Sequence, residues 1–352
     1  ISGFTVEGGR DGIYLKSDYC NISNNNASNN EYGICLENSS ENTLINNIMT
    51  GNKYNFRLYG GSDSDFNNQI DTSNLVDGKP IYYVKNAKNT VYDSSTNAGT
   101  FYCINCVNVT IKDLNLNENG FGIFFWNTTS SRIQNVNASN NNYGIHLYRS
   151  SNNTLSNNYA SNNNYGVYLW HSSENTLRNN NASNNDNGIY LENSSENTLR
   201  NNNASNNWDG IHLSHSSNNM LSNNYANNHY YGIQLLYSSE NTLRNNNASN
   251  NEYGIRLYRS SENTLRNNNA SNNDFGIYLG IPATTILSIT TTQTRTTIVA
   301  SIWVLPATTT SVTTTQTRTT GMASLWVLPV TTISITTTQT RTTIMASVWV
   351  IP

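Results

Sequence analysis

The side chains of this 352-residue chain that suit chemistry recur in one register. Two places after a repeated glycine stand Phe124, His146, Tyr168, Tyr190, His212, Gln234, Arg256 and Tyr278, and Tyr14, Cys35 and Arg57 hold the same place earlier. Two places further on lie Trp126, Tyr148, Trp170, Glu192 and Tyr258. Rings mixed with His and Arg along one line suit a polysaccharide, because rings stack on sugar faces while polar groups bond hydroxyls. The outward-facing groove expected from this pattern consists of Trp126, His146, Tyr148, Tyr168, Trp170, Tyr190, His212, Arg256 and Tyr258. The same rings also fit a purely structural role, since aromatics favour strands and stack on like neighbours.

Other chemistry finds less support. Cleaving a sugar chain needs two carboxylates at a set spacing or an Asp cluster holding calcium. Near this face stand only Asp11, Glu37, Asp186, Glu192 and Asp209, with Asp186 and Asp209 on neighbouring repeats beside Glu192. That scatter nominates no catalytic residue. Cys103-Ile-Asn-Cys106 is a lone CxxC, half of a zinc pattern, and Cys103 falls in an apolar column where a buried thiol is ordinary. His146 and His212 are three repeats apart, about 14 Å at strand spacing and too far to share an ion. His212 and His215 can pair, but no third ligand converges. No cofactor, and no copper site, is expected. Sequons abound, and Asn108, Asn127, Asn152 and Asn193 are the expected glycan acceptors if the chain is exported.

The elements that position these residues follow from a repeat. Gly122, Gly144, Gly166, Gly188, Gly210, Gly232, Gly254 and Gly276 are 22 residues apart, and each opens a short apolar strand such as GIYL. Gly12 and Gly33 open GIYL and GICL, and Asn55 takes the glycine place before Phe56. A unit of this length with three short strands and no helix predicts one coil of a right-handed parallel β-helix. Alternation along the strand turns Ile189 and Leu191 to the core, joined by Leu199 and Ala204 from the second and third strands. Asn42, Asn153, Asn175, Asn197, Asn219, Asn241 and Asn263 are expected at left-handed turns and in amide ladders between coils. Glu174, Glu196, Glu240 and Glu262, each four places before Arg178, Arg200, Arg244 and Arg266, are read as a solvated ion ladder. Aromatics just before the glycines, among them Tyr32, Tyr143 and Tyr253, are expected to form a packed ladder at the turn edge.

The domains expected are β-helix coils over 1–60, irregular coils with a surface excursion over 61–110, and regular coils over 111–282. Residues 283–352 form a Thr-rich segment with a 23-residue repeat, marked by Gln293, Gln316 and Gln339 and by Trp303, Trp326 and Trp349. One reading is an O-glycosylated stalk. The other is translation out of frame. Under plausible codons a two-base shift turns Thr-Thr-Thr-Gln-Thr-Arg-Thr-Thr into Asn-Asn-Thr-Asn-Ser-Asn-Asn, and Ala-Ser-Ile-Trp-Val-Leu-Pro into Gly-Ile-Tyr-Leu-Gly-Ile-Pro, the strand at Gly276. The expectation is that the segment is further coils in a shifted frame and carries no function; a gene whose shifted frame lacks Asn-rich repeats contradicts it.

Composition bounds the function. Apolar residues make up 36% and charged residues 12%, with net charge −3, against roughly 45–50% and about 25% in ordinary domains. The polarity is periodic Asn, Ser and Thr, so it marks a repeat and not disorder. A near-neutral chain offers no electrostatic footprint for nucleic acid, and no apolar run reaches the roughly 20 residues of a membrane span. Four Cys are too few for a disulfide scaffold. The chain opens at Ile1 with no signal segment, which reads as a fragment beginning inside a domain.

The opening ISGFTVEGGRDGIYL, the segment NQIDTSNLVDGKPIYYV, the coil CVNVTIKDLNLNENGFGIFF and the NNYGIHL and SSNNTLSNN repeats together resemble the NosD-like right-handed parallel β-helix proteins, also called carbohydrate-binding and sugar-hydrolysis (CASH) domains. The resemblance covers residues 1 to about 282, and Asn-rich versions look most like archaeal cell-surface and S-layer-associated proteins. It implies the fold firmly and function weakly. The function expected is an extracellular or cell-surface module, structural or polysaccharide-binding and non-catalytic, with polysaccharide or cell-envelope components as partners. A carbohydrate-active lyase or hydrolase is the rival. A NosD-like accessory role in copper-centre assembly is the third reading.

Overall fold

The computed structural model describes residues 1–280 and, beyond them, only the backbone of the strands Ile286–Gln293, Ala300–Val304, Thr309–Gln316, Gly321–Val327, Ile333–Gln339 and Ile344–Val350. The chain is a right-handed parallel β-helix with coils of about 22 residues. It divides into two compact units, residues 1–168 and 169–352.

The second unit holds the regular coils. Its first strands Asn187–Glu192, Asp209–Ser214, Tyr231–Leu236, Tyr253–Tyr258 and Phe275–Gly280 pair in parallel, bringing Ile189, Ile211, Ile233, Ile255 and Ile277 into one column. The second strands, from Thr176–Arg178 to Thr264–Asn268, stack Leu177, Leu199, Leu221, Leu243 and Leu265. Ile189, Leu191, Leu199 and Ala204 are all at 0% exposure, as alternation dictates. Four such side chains bury too little surface to order a coil alone, so each coil depends on its neighbours. Beyond Phe275–Gly280 the Thr-rich strands pair with a 23-residue register, Gln293 opposite Gln316 and Gln316 opposite Gln339. The side chains there, and the shifted-frame reading that concerns them, lie outside the described residues.

Every regular coil turns at four residues with positive φ: in one coil Asn193, Glu196, Asn201 and Asn206, at 48°, 58°, 55° and 60°. Each is followed by an inward polar residue, here Ser194, Asn197, Asn202 and Asn207, all buried. This corrects the expectation for the Asn197 column. The left-handed residue is the one before it, and Asn197 itself is purely a ladder residue. Asn197 donates from its backbone N–H and its amide to Asn219 Oδ1 at 2.8 and 3.1 Å. Asn202 does the same to Asn224 Oδ1, at 3.0 Å in both cases, and its amide also donates to the Leu177 carbonyl at 2.9 Å. In the fourth ladder His229 replaces Asn, its Nδ1 accepting from Asn207 N–H at 2.9 Å.

The ion ladder does not form. Glu174, Glu196, Glu240 and Glu262 occupy left-handed turn positions with φ of 57–58° and point to solvent. Arg178, Arg200, Arg244 and Arg266 are exposed too, and none of these eight joins an ion pair among the described residues. Exposed charges at a turn and at a strand end gain too little to hold two long side chains together.

The first unit starts with three coils whose first strands are Asp11–Leu15, Tyr32–Glu37 and Tyr54–Tyr59. The chain then leaves the coil plan. A 3-10 turn at Asp63–Phe66 is followed by a hairpin, Leu75–Val76 against Lys79–Lys85, reversed at Asp77 and Gly78 with φ of 47° and 76°. An Asp-Gly pair with both φ positive is the favoured chemistry for such a turn. Lys79–Lys85 then starts a new parallel series through Thr100–Ile104, Phe121–Trp126 and Tyr143–Tyr148. Cys103 and Cys106 are joined as a disulfide, which corrects the reading of Cys103 as an ordinary buried thiol; Cys20 and Cys35 are free.

Candidate functional site

In the first unit the expected groove residues are covered. The Asp63–Phe66 turn lies across Trp126: the Phe66 ring sits 4.1 Å from Trp126 and 5.4 Å from Phe124, and Trp126 Nε1 donates to Asp63 Oδ1 at 2.8 Å. Trp126 is 1% exposed and stacks on Tyr148 at 4.4 Å, and Tyr148 and Tyr168 are buried as well. The turn that hides Trp126 stands outside the repeat, so the period gave no sign of it. His146, 3% exposed, packs among Phe121, Phe124, Tyr143 and Tyr168, and neither ring nitrogen has a hydrogen-bond partner. Burial, with a contribution from the Arg57 charge, pushes its pKa down to about 3, so the imidazole is neutral. These four residues are not exposed as expected.

Arg57 stands differently. It is half-buried, with its guanidinium carbon 5.6 Å from the Tyr32 ring and 5.5 Å from Tyr59. Its Nε is buried without a partner. The Tyr32 hydroxyl accepts from Asn142 at 3.2 Å.

The first unit also holds two neighbouring carboxylates that sequence reasoning missed. Burial raises the Glu118 pKa first, and Asp77 adds to this by its charge and by a side-chain hydrogen bond. Asp77 accepts from Thr50 Oγ1 at 3.0 Å, from Gly51 N–H at 3.1 Å and from the Asn55 amide. Glu118 lines an open cleft of about 580 Å³ with Lys53, Tyr54, Asn140 and Asn162 among its walls. The pair was hidden because Asp77 belongs to the excursion and Glu118 to a later coil.

In the second unit the expected groove residues stay partly at the surface, although Gln234 of the same column is buried. Tyr190, His212, Arg256 and Tyr258 are half-buried, and so is Trp170, whose ring lies 5.6 Å from His171. Tyr190 and His212 have ring centres 4.7 Å apart, and His212 Nδ1 lies 3.3 Å from Asp209 Oδ2. Arg256 sits among four rings, at 4.9 Å from Tyr231, 5.9 Å from Tyr253, 5.4 Å from Tyr258 and 5.8 Å from Tyr278. Beside this column lies a pair the sequence reading did not single out. Trp208 is 64% exposed and lies nearly parallel to Tyr230, 5.3 Å away at 11°. Both stand two places before the coil glycine, a register that carries rings in too few coils to attract notice. The Tyr230 hydroxyl bonds Glu252, which pushes its pKa up to about 12. The aromatics just before the glycines stack in both units, as at Tyr143–Tyr165 (4.9 Å, 5°) and Tyr253–Phe275 (4.6 Å, 13°).

Asn108, Asn127, Asn152 and Asn193 are all exposed at positive-φ turns. No three His, Cys, Asp or Glu side chains converge among the described residues, and no described helix is long and apolar enough to cross a membrane.

The family described as right handed beta helix region matches residues 67–204, 99–248 and 144–288. That described as periplasmic copper-binding protein (NosD) matches residues 1–77. Within those 77 residues the soft donors are Cys20, Cys35 and Met49, of which Met49 is a core residue and Cys35 is buried, so the donor set does not fit a copper ion. Among solved structures, the A-module of mannuronan C-5 epimerase AlgE4 from Azotobacter vinelandii is 16% identical, over 97% of this chain and 91% of that one, with a TM-score of 0.51. The AlgE6 A-module from the same organism is 14% identical over 94% and 90%, also at 0.51. The Dettilon tailspike protein gp208 is 14% identical over 73% of this chain and 59% of that one, at 0.52. Identities this low speak to the fold alone. No curated protein matches.

Proposed function

The chain belongs to the right-handed β-helix family, and from that premise we propose that it is an extracellular or cell-surface module that binds polysaccharide along the first-strand face of its regular coils, without catalysis. The observation that carries this reading is exposed Trp208, nearly parallel to half-buried Tyr230, in the same unit as Tyr190, His212 and Arg256. A flat ring that spends its energy on water-exposed stacking has little structural purpose and is the right platform for a sugar face. The polysaccharide names of the similar structures are in keeping with this reading. Exposed turn asparagines, Asn108, Asn127, Asn152 and Asn193, are then the positions for glycans.

Affinity electrophoresis of the full chain through gels containing neutral and acidic polysaccharides tests the proposal. Retardation by one polymer, weakened about tenfold in Trp208→Ala and less in the partly covered Trp170→Ala, is the expected result. A parent that no polymer retards, or a Trp208→Ala protein that behaves as the parent, overturns it.

One observation favours the enzymatic alternative. Burial and the nearby Asp77 charge raise the pKa of Glu118 at the wall of a cleft, and a carboxyl that holds its proton more tightly is what a general acid needs. Release of new chain ends from a retained polymer, abolished in Glu118→Gln, would establish it.

A further inference from the structure

We propose that Arg256, and in the first unit Arg57, are oxyanion-binding points, so that the polysaccharide is an acidic one recognised through carboxylates on its sugars; this rests on the polysaccharide reading above. Each arginine is held over tyrosine rings, and neither has a hydrogen-bond or ion-pair partner among the described residues. A cation against ring faces is held in place by the ring quadrupoles, yet that contact uses none of the five N–H donors of a guanidinium. What remains is a fork whose geometry matches a carboxylate.

A structural role predicts a different arrangement. One charge of this fold is balanced from the neighbouring coil, where Lys16 meets Glu37 at 3.3 Å. The rung neighbours of Arg256 are Gln234 and Tyr278, neither of them anionic, and Arg57 pairs with Cys35. Acids are not scarce, since the chain carries 22 against 19 bases. Glu252, in the same coil as Arg256, is engaged by the Tyr230 hydroxyl. Half-burial beside rings also lowers the local dielectric, which strengthens a pairing with an incoming anion. Arg149 and Arg259 also lie over rings, but both are exposed, so the half-buried form of this arrangement is that of Arg57 and Arg256.

Matched polymers test the charge without changing the backbone. The full chain is titrated with polygalacturonate and with its fully methyl-esterified form, and in parallel with dextran sulfate and dextran. Binding to polygalacturonate at least about tenfold tighter than to the ester is expected. Arg256→Gln should bring the two to a similar level, and Arg256→Lys, which keeps the charge and loses the fork, should lie between. Preference for dextran sulfate alone assigns the oxyanion to sulfate and overturns the carboxylate. Equal binding of polygalacturonate and its ester overturns the inference while leaving the polysaccharide reading standing. No retention by any polymer, neutral or acidic, overturns both. The parent's ratio between the two forms needs no variant, so a misfolded Arg256→Gln does not block the decision.

Discussion

His146 shows how a residue type that suggests chemistry can be claimed by packing. Two ring nitrogens buried without partners cost the folded state, and its neighbours are aromatic rings. Replacing it with Phe removes both orphaned atoms, and the variant should be about 1–2 kcal/mol more stable at pH 7 in denaturant unfolding. The gap should widen in acid. Below pH 6.5 the unfolded chain protonates this imidazole, while the folded chain refuses the proton until about pH 3. The parent therefore keeps its full stability above 6.5 and loses it as pH falls, by up to about 1.4 kcal/mol per unit, a slope that His146→Phe lacks. Equal slopes for parent and variant contradict the assignment. Its position in the column was legible in the sequence, but its burial was not, because the period does not show how closely the rings of neighbouring coils pack around it.

At the scale of the coil, the turns and ladders separate two kinds of asparagine that composition alone confuses. Asn219 is buried, and its Oδ1 accepts two bonds from Asn197. Asn219→Ala leaves both donors unsatisfied and should cost about 2–4 kcal/mol. Asn201, exposed at φ 55°, only needs tolerance of the left-handed region, so Asn201→Gly should fall within about 0.5 kcal/mol of the parent. Urea midpoints of the two variants decide the matter, and similar losses would refute the distinction. The coil glycines are fixed by close approach. A Cβ on Gly210 would lie 2.5 Å from the Gly232 carbonyl oxygen, so Gly210→Ala must push two rungs apart and should cost several kcal/mol. The strand, its core residues and the existence of amide ladders were readable from a 22-residue period. Which asparagine turns and which one bonds was not, since both are Asn and differ only in φ.

For the whole molecule, the period itself makes a prediction. Deleting residues 197–218 from the second unit brings Asn219 directly after Glu196 and restores every column, so the shortened chain should keep its β-sheet circular dichroism and cooperative unfolding. Deleting half as many residues puts core positions on the solvent side and should abolish both. The fold was legible because each coil repeats the same physical solution. The candidate site was legible only in part, because its proposed residues stand where one coil differs from the next: at Trp208, at Arg256 and in the Asp77–Glu118 neighbourhood.

The most direct test of the binding account is amide hydrogen exchange on the full chain, with and without a polysaccharide that retards it. Protection should appear in the first strands Asp209–Ser214, Tyr231–Leu236 and Tyr253–Tyr258 and in the turns carrying Trp208 and Tyr230, with the second strands from Thr198 to Arg244 unchanged. Protection confined to the second strands, or none while the polymer is bound, contradicts it.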